Sequence, residues 1–147
     1  MATTESGRAL IDQYNVKNQF ANLLGLELSV LDEGIAQYTV KIQGNHLATP
    51  GFVHGGLLTT LLDATMGAGA LTLVADELKV VSTIEMNVNF IRAALEGEIL
   101  IAQSSLVRKG KTVIFMRAEI KNEQNQMLAV STGSFYPFDA TKAGYII

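Results

Sequence analysis

The chain has 147 residues, 48% hydrophobic and 17% charged, which excludes a disordered polymer and fits one globular domain over 1–147. A net charge of −3 disfavours nucleic acid and anionic membranes as partners. The lack of cysteine removes disulfides, iron–sulfur clusters and a thiol nucleophile.

The opening stretch carries acidic residues and no apolar core, so it does not read as a secretory signal, and a cytoplasmic location is expected. Residues 7–24 are predicted as one amphipathic helix. Leu10, Ile11, Tyr14, Phe20 and Leu24 recur near helical spacing, and Gly25 closes it. Residues 26–31 and 35–42 then read as strands joined by the Asp32-Glu33-Gly34 turn. Residues 44–53 read as a loop. A long helix is predicted for 55–74, with Leu58, Leu61, Leu62, Met66 and Leu73 on one stripe. Its glycines, Gly67 and Gly69, each cost about 1 kcal/mol relative to alanine, which close packing of a sheet on the helix explains. His54, Asp63 and several Gly and Thr interrupt the apolar stretch 52–75, so it is not read as a membrane span.

After Val80 the chain alternates as strands do. Met86, Val88 and Phe90 alternate with Glu85, Asn87 and Asn89, and three further strands follow at 97–107, 112–121 and 127–138. Short turns between them predict a four-stranded antiparallel meander. The expected fold is α+β: one long central helix wrapped by a curved antiparallel β-sheet, core 25–138, with the N-terminal helix outside it.

Chemistry concentrates at Gly51-Phe52-Val53-His54-Gly55-Gly56 and at Asp63. A helix N-terminus offers unpaired N–H groups and partial positive charge, so the Gly55 N–H is placed to polarise a carbonyl. The plain alternative is a glycine-rich helix entry with a buried, satisfied histidine. Asp63 sits among Leu61, Leu62 and Ala64, where a carboxylate needs a partner or a purpose. It reads as a nucleophile or general base, or else as a face turned to solvent or bonded to a strand. Gly55 and Asp63 lie eight residues apart, about 12 Å along the helix. One carbonyl needs both within about 3 Å. If both act, Gly55 of one subunit must face Asp63 of another, and the protein is at least a dimer. A mean hydropathy of +0.26 points the same way.

These residues, with the strand 83–92 and Lys109-Gly110-Lys111-Thr112, resemble the hotdog-fold acyl-CoA thioesterases of the PaaI-like branch of the 4-hydroxybenzoyl-CoA thioesterase superfamily. The resemblance implies hydrolysis of an acyl-CoA to free acid and CoA. It implies that Gly55 polarises the thioester carbonyl, Asp63 of the other subunit attacks or activates water, and Thr83 helps to hold that water. His54 is implied to brace the loop. The family often has Asn or Gln six residues before the histidine, where this chain has Ala48; Asn45 or His46 are the candidates to replace it. No resident cofactor or metal is called for, since coenzyme A belongs to the substrate. Its phosphates need cations or backbone N–H groups. Lys109, Gly110 with an open N–H, and Lys111 are the expected contacts, with Arg92 as a further one. The acyl pocket is expected to be mainly apolar, walled by Phe52, Leu57, Leu58, Met66 and the N-terminal helix, and to suit aryl or medium-chain groups. The expected assembly is a homodimer or a tetramer of dimers. A non-catalytic acyl-CoA binding module on the same fold is the alternative.

Overall fold

Thr4 accepts the Gly7 N–H and starts α1, Glu5–Lys17, in a computed structural model that describes residues 3–147. The expected single helix breaks at Asn18, whose backbone leaves the helical region at φ −78°, ψ 77°. Its side-chain oxygen accepts the Ala21 N–H and starts α2, Gln19–Leu24. Asparagine suits this break because its short side chain replaces a backbone acceptor. Gly25 ends α2 in the left-handed region at φ 75°.

Strands β1, Glu27–Asp32, and β2, Ile35–Lys41, form the expected hairpin. The expected loop contains more structure than its composition announces. It holds a 3₁₀ turn at Gly44–His46 and a small pair of strands, β3 at Leu47–Thr49 and β4 at Phe52–Val53. The long helix α3 spans Gly55–Val74. After it come β5, Lys79–Phe90, β6, Ile99–Lys109, β7, Ile114–Asn122, and β8, Met127–Asp139.

The sheet order is β1-β2-β6-β7-β8-β5, all neighbours antiparallel. The four-stranded meander is therefore corrected to three strands. β5 does not turn back on β6; it lies beyond β8 at the sheet edge. The linker after β5 explains this. Val53 N–H donates to Ala94 O, Glu96 N–H to Gly51 O and Gly97 N–H to Ile42 O. These bonds carry the chain across the end of the sheet toward β2, so β6 pairs there.

The helix α3 packs its apolar side into the concave face of the sheet. Leu58, Leu61, Leu62 and Met66 join Tyr38, Leu100, Met116 and Phe135 in one buried core. A Cβ on Gly69 would collide with Ser104 Oγ and stand 2.9 Å from Gly34 O, so glycine permits the closest helix–sheet approach. By length and apolarity α3 matches a membrane span, yet most of it is buried in the fold. It is the core helix. Leu10 and Ile11 of α1 form a second cluster with Leu71, Val80 and Ala140. Asp76 Oδ1 accepts from Thr4 N and Oγ1 at the start of α1. Near its end, Gln13 exchanges two hydrogen bonds with the backbone of Ile146.

Candidate active site

The entry to α3 is built by two histidines with different tasks. His54 is the N-cap, and its Nδ1 accepts the Gly56 N–H at 2.7 Å. The ring is exposed, so the buried-histidine alternative does not apply. Capping Gly56 leaves the neighbouring Gly55 N–H with no acceptor among the described residues. The Phe90 ring lies 3.4 Å from where a Gly55 Cβ would stand, an ordinary van der Waals contact beside the helix entry.

His46 is buried, with both ring nitrogens committed. Nδ1 accepts the Gln43 N–H at 3.0 Å, which leaves the proton on Nε2 to donate to Leu24 O at 2.9 Å. Its own carbonyl accepts the His54 N–H. His46 thus ties α2 to the loop before α3 and is not free for proton transfer. Asn45 is exposed beside it and lines a groove with Phe20, His54 and Gly56, not the cavity that holds Asp63. Ala48 is exposed in β3.

Asp63 and Thr83 come together from different elements. Thr83 Oγ1 donates to Asp63 Oδ1 at 2.7 Å, joining the middle of α3 to edge strand β5. This side of α3, with Gly56, Thr59, Thr60, Asp63, Ala64 and Gly67, is the helix face that the protomer's own sheet does not bury. Beside Asp63 opens a cavity of about 490 Å³ between α3, the start of β5, the α1–α2 elbow and the C-terminal segment.

The walls of that cavity differ from the expected set. Leu58 and Met66 are buried in the core, Leu57 borders the smaller groove, and Phe52 is half exposed on β4. The expected wall from the N-terminal helix is present in Tyr14, Asn18 and Phe20, and Ala64, Gly67, Leu71, Val81, Phe135 and Tyr145 join it. The apolar wall survives this correction, and a polar end is added. Asn18 Nδ2 donates to Tyr14 Oη at a long 3.4 Å. Behind them the fully buried Tyr38 hydroxyl has Tyr14 and Asn18 as polar neighbours, but neither closes a hydrogen bond of good geometry on it. Burial pushes the Tyr14 phenol far above its ordinary range, with Tyr38, Tyr145 and Asp63 adding to the effect. Burial also raises Tyr38. All of these phenols remain protonated donors at neutral pH. In the sequence Tyr14 reads as one more apolar helix position. The available signal for Tyr38 is a tyrosine on the inward register of β2, between Ala36 and Val40.

The basic turn is arranged differently from expectation. The Gly110 N–H is not open, because it donates to Val113 O at 2.9 Å. Lys109 Nζ donates to Leu73 O at 2.9 Å and to Glu77 Oε1 at 3.2 Å, capping one carbonyl in the last turn of α3. A lysine suits a helix C-terminus electrostatically. Lys111, Arg108 and Arg92 are exposed.

A long helix that starts on a bare glycine N–H, lies in the concave face of an antiparallel sheet and carries a carboxylate midway defines a hotdog-type thioesterase. The chain belongs to the thioesterase superfamily, whose family model matches residues 50–129, the stretch that holds Gly55, Asp63 and Thr83. It is a thioester hydrolase of that superfamily. The medium/long-chain acyl-CoA thioesterase YigI of Escherichia coli K12 is 29% identical, over 90% of this chain and 95% of that protein. Among solved structures, the E. coli PaaI protein from the phenylacetic acid degradation operon superposes with a TM-score of 0.84 at 20% identity, covering 93% of this chain and 96% of that one. A thioesterase protein from Streptococcus pneumoniae TIGR4, solved with coenzyme A, gives 0.71 at 23% identity over 78% and 86%.

Proposed function

We propose that the protein hydrolyses acyl-CoA thioesters at sites shared between two copies of the chain. The observation that carries this is the Thr83–Asp63 hydrogen bond in the wall of the cavity, on the helix face left uncovered by the protomer. The thioester carbonyl oxygen sits on the Gly55 N–H of the partner subunit, where the helix terminus stabilises the developing oxyanion. Asp63 then acts in one of two ways. As a general base it takes a proton from water while the water oxygen bonds to the carbonyl carbon. As a nucleophile its oxygen bonds to that carbon, and water later cleaves the anhydride. Either way the C–S bond breaks and CoA leaves as a thiolate that takes up a proton. Thr83 holds the carboxylate, or the water, in line.

Two features support sharing. Gly55 and Asp63 are separated by eight residues of one helix, about 12 Å, too far for one carbonyl. Strand β5 has β8 on one side only, and its twelve-residue free edge is a template for a second copy. Relatives named as acyl-CoA thioesterase or solved with coenzyme A support the CoA ester as substrate. Exposed Arg92, Arg108 and Lys111 are the proposed phosphate contacts, while Lys109 serves α3. The non-catalytic binding alternative is favoured only by Ala48, where the family has an amide.

Mixed dimers test the reading. Gly55→Pro and Asp63→Asn proteins, each inactive alone, are unfolded together and refolded. With shared sites, random pairing restores about a quarter of the wild-type thiol release, because half the dimers carry one intact site. No recovery in verified heterodimers refutes sharing, and no thiol release from any acyl-CoA by wild type refutes catalysis.

A further inference from the structure

His46 is a buried histidine that takes no part in the proposed hydrolysis, and both of its ring nitrogens are committed to backbone groups. Its Nε2–H donates to Leu24 O, one of the carbonyls that the end of α2 leaves without a partner inside the helix. Its Nδ1 accepts the Gln43 N–H across the 3₁₀ turn Gly44–His46. The ring is thus held between α2 and the loop, which fixes the direction of the His46 carbonyl. That carbonyl accepts the His54 N–H at 2.9 Å. His54 in turn organises the first turn of α3: its carbonyl accepts the Leu57 N–H at 2.9 Å, and its Nδ1 accepts the Gly56 N–H at 2.7 Å. Gly55 lies between these bonded groups, so the direction of its free N–H follows from where His54 is held. On the side before His54, Val53 N–H is anchored to Ala94 O; on the other side of the ribbon the anchor is His46. Leu24, His46, His54 and Gly56 border one groove, so the chain of bonds is short.

Resting on the reading of the Gly55 N–H as the oxyanion donor, we propose that His46 is a positioning residue for that donor: its neutral ring, wedged between α2 and the loop, aims the N–H through His54. It touches no reacting atom. An oxyanion donor acts only at about 2.7–3.1 Å from the oxygen, and a misplacement of about 1 Å costs about 10²-fold. A packing role would be filled by any buried ring of similar size. The positioning role needs an acceptor at one edge of the ring and a donor at the other, which neutral imidazole supplies.

The test places His46→Phe, His46→Asn and His46→Gln in the full-length protein, alone and with Gly55→Pro. Phenylalanine keeps a buried ring and loses both bonds; asparagine keeps an acceptor near the Nδ1 position, and glutamine a donor near Nε2. In His46→Phe, kcat for thiol release from an acyl-CoA should fall about 10–100-fold with KM within about threefold of wild type. Each amide variant should recover part of that loss. On the residual rate of Gly55→Pro, read at high enzyme concentration, the same change should cost less than about threefold, because the donor it aims is already gone. An equal fall in both backgrounds marks a packing role and overturns the proposal. Where phenylalanine prevents folding, the asparagine and glutamine variants carry the same cycle. Amide hydrogen exchange keeps this test separate from the hydrolysis reading, since it needs no turnover. Protection at His54 and Gly56 should drop about tenfold or more in the His46 variants while the β7 amides keep theirs. Lost protection at the helix entry with no turnover in wild type sinks the hydrolysis and leaves the aiming of the Gly55 N–H standing. Unchanged protection overturns the positioning role whatever the activity.

Discussion

Gly55→Pro isolates one backbone N–H. Gly55 is the first residue of α3, the position where proline is best tolerated because its N–H is unused within the helix. The residue before a proline must be extended, and His54 already is, at φ −65°, ψ 132°. The new ring meets Phe90, whose atoms start 3.4 Å from the Cβ position and whose 56% exposure lets it shift. The fold therefore tolerates the change while the oxyanion donor is deleted. Loss of one such donor costs about 10²–10³ in kcat, or about 3–4 kcal/mol of transition-state stabilisation. KM should move little, since the interaction forms mainly as charge develops. Gly55→Ala is the control: it brings the same Cβ toward Phe90 but keeps the N–H, and it should stay within about threefold of wild type. Thiol release from acyl-CoA, followed by a chromogenic thiol reagent, measures both, with circular dichroism confirming the helix. A proline variant within a few-fold of wild type, or an alanine variant equally damaged, would remove the Gly55 N–H from the mechanism.

Thr83→Val deletes the hydroxyl on Asp63 and keeps a β-branched residue in β5; kcat should fall about 10–100-fold, as for a hydrogen bond to a charged group, and Thr83→Ser should recover most of it. Gly69→Ala should destabilise by about 2 kcal/mol despite a better helix propensity, because Gly34 O cannot retreat. A melting point about 4–8 °C lower at fixed protein concentration checks this, and no change would mean the sheet can yield. Hydrogen bonds from Lys79, then Lys109, hold the Glu77 carboxyl below its ordinary value of 4.5. A folded-state pKa below the unfolded one stabilises above that value and loses its effect as pH falls through the lowered one. Glu77→Gln should therefore cost less than about 1 kcal/mol at neutral pH, given its exposure, and nothing in strong acid. A penalty that grows in acid contradicts that assignment.

What the sequence disclosed was what neighbouring residues decide among themselves. His54-Gly55-Gly56 marked the start of α3 because capping is local chemistry, and Asp63 stood out because a carboxylate among leucines is rarely idle. The position of β5 was hidden, since Met86 and Val88 alternate with polar residues whichever strand lies alongside. Asn18 broke the first helix by a side-chain bond that residue periodicity does not register. Lys109 read as a free cation because its partners, Leu73 O and Glu77, are more than thirty residues away and reach it only when α3 meets β6. The Tyr14, Asn18 and Tyr38 cluster escaped for the same reason: β2 and the α1–α2 elbow become neighbours only in the folded chain.

The helix α1 is pinned at one end to Asp76 and near the other to the C-terminal Ile146, so the two extremities of the polypeptide roof the Asp63 cavity together. The residues assigned to bond cleavage all fall within 50–129, the stretch common to the superfamily, whereas Tyr14, Asn18 and Tyr145 lie outside it. The proposed reacting residues and these cavity walls thus lie in separable stretches of the chain. Substitutions in the stretches flanking 50–129 can therefore reshape the cavity while leaving Gly55, Asp63 and Thr83 in place.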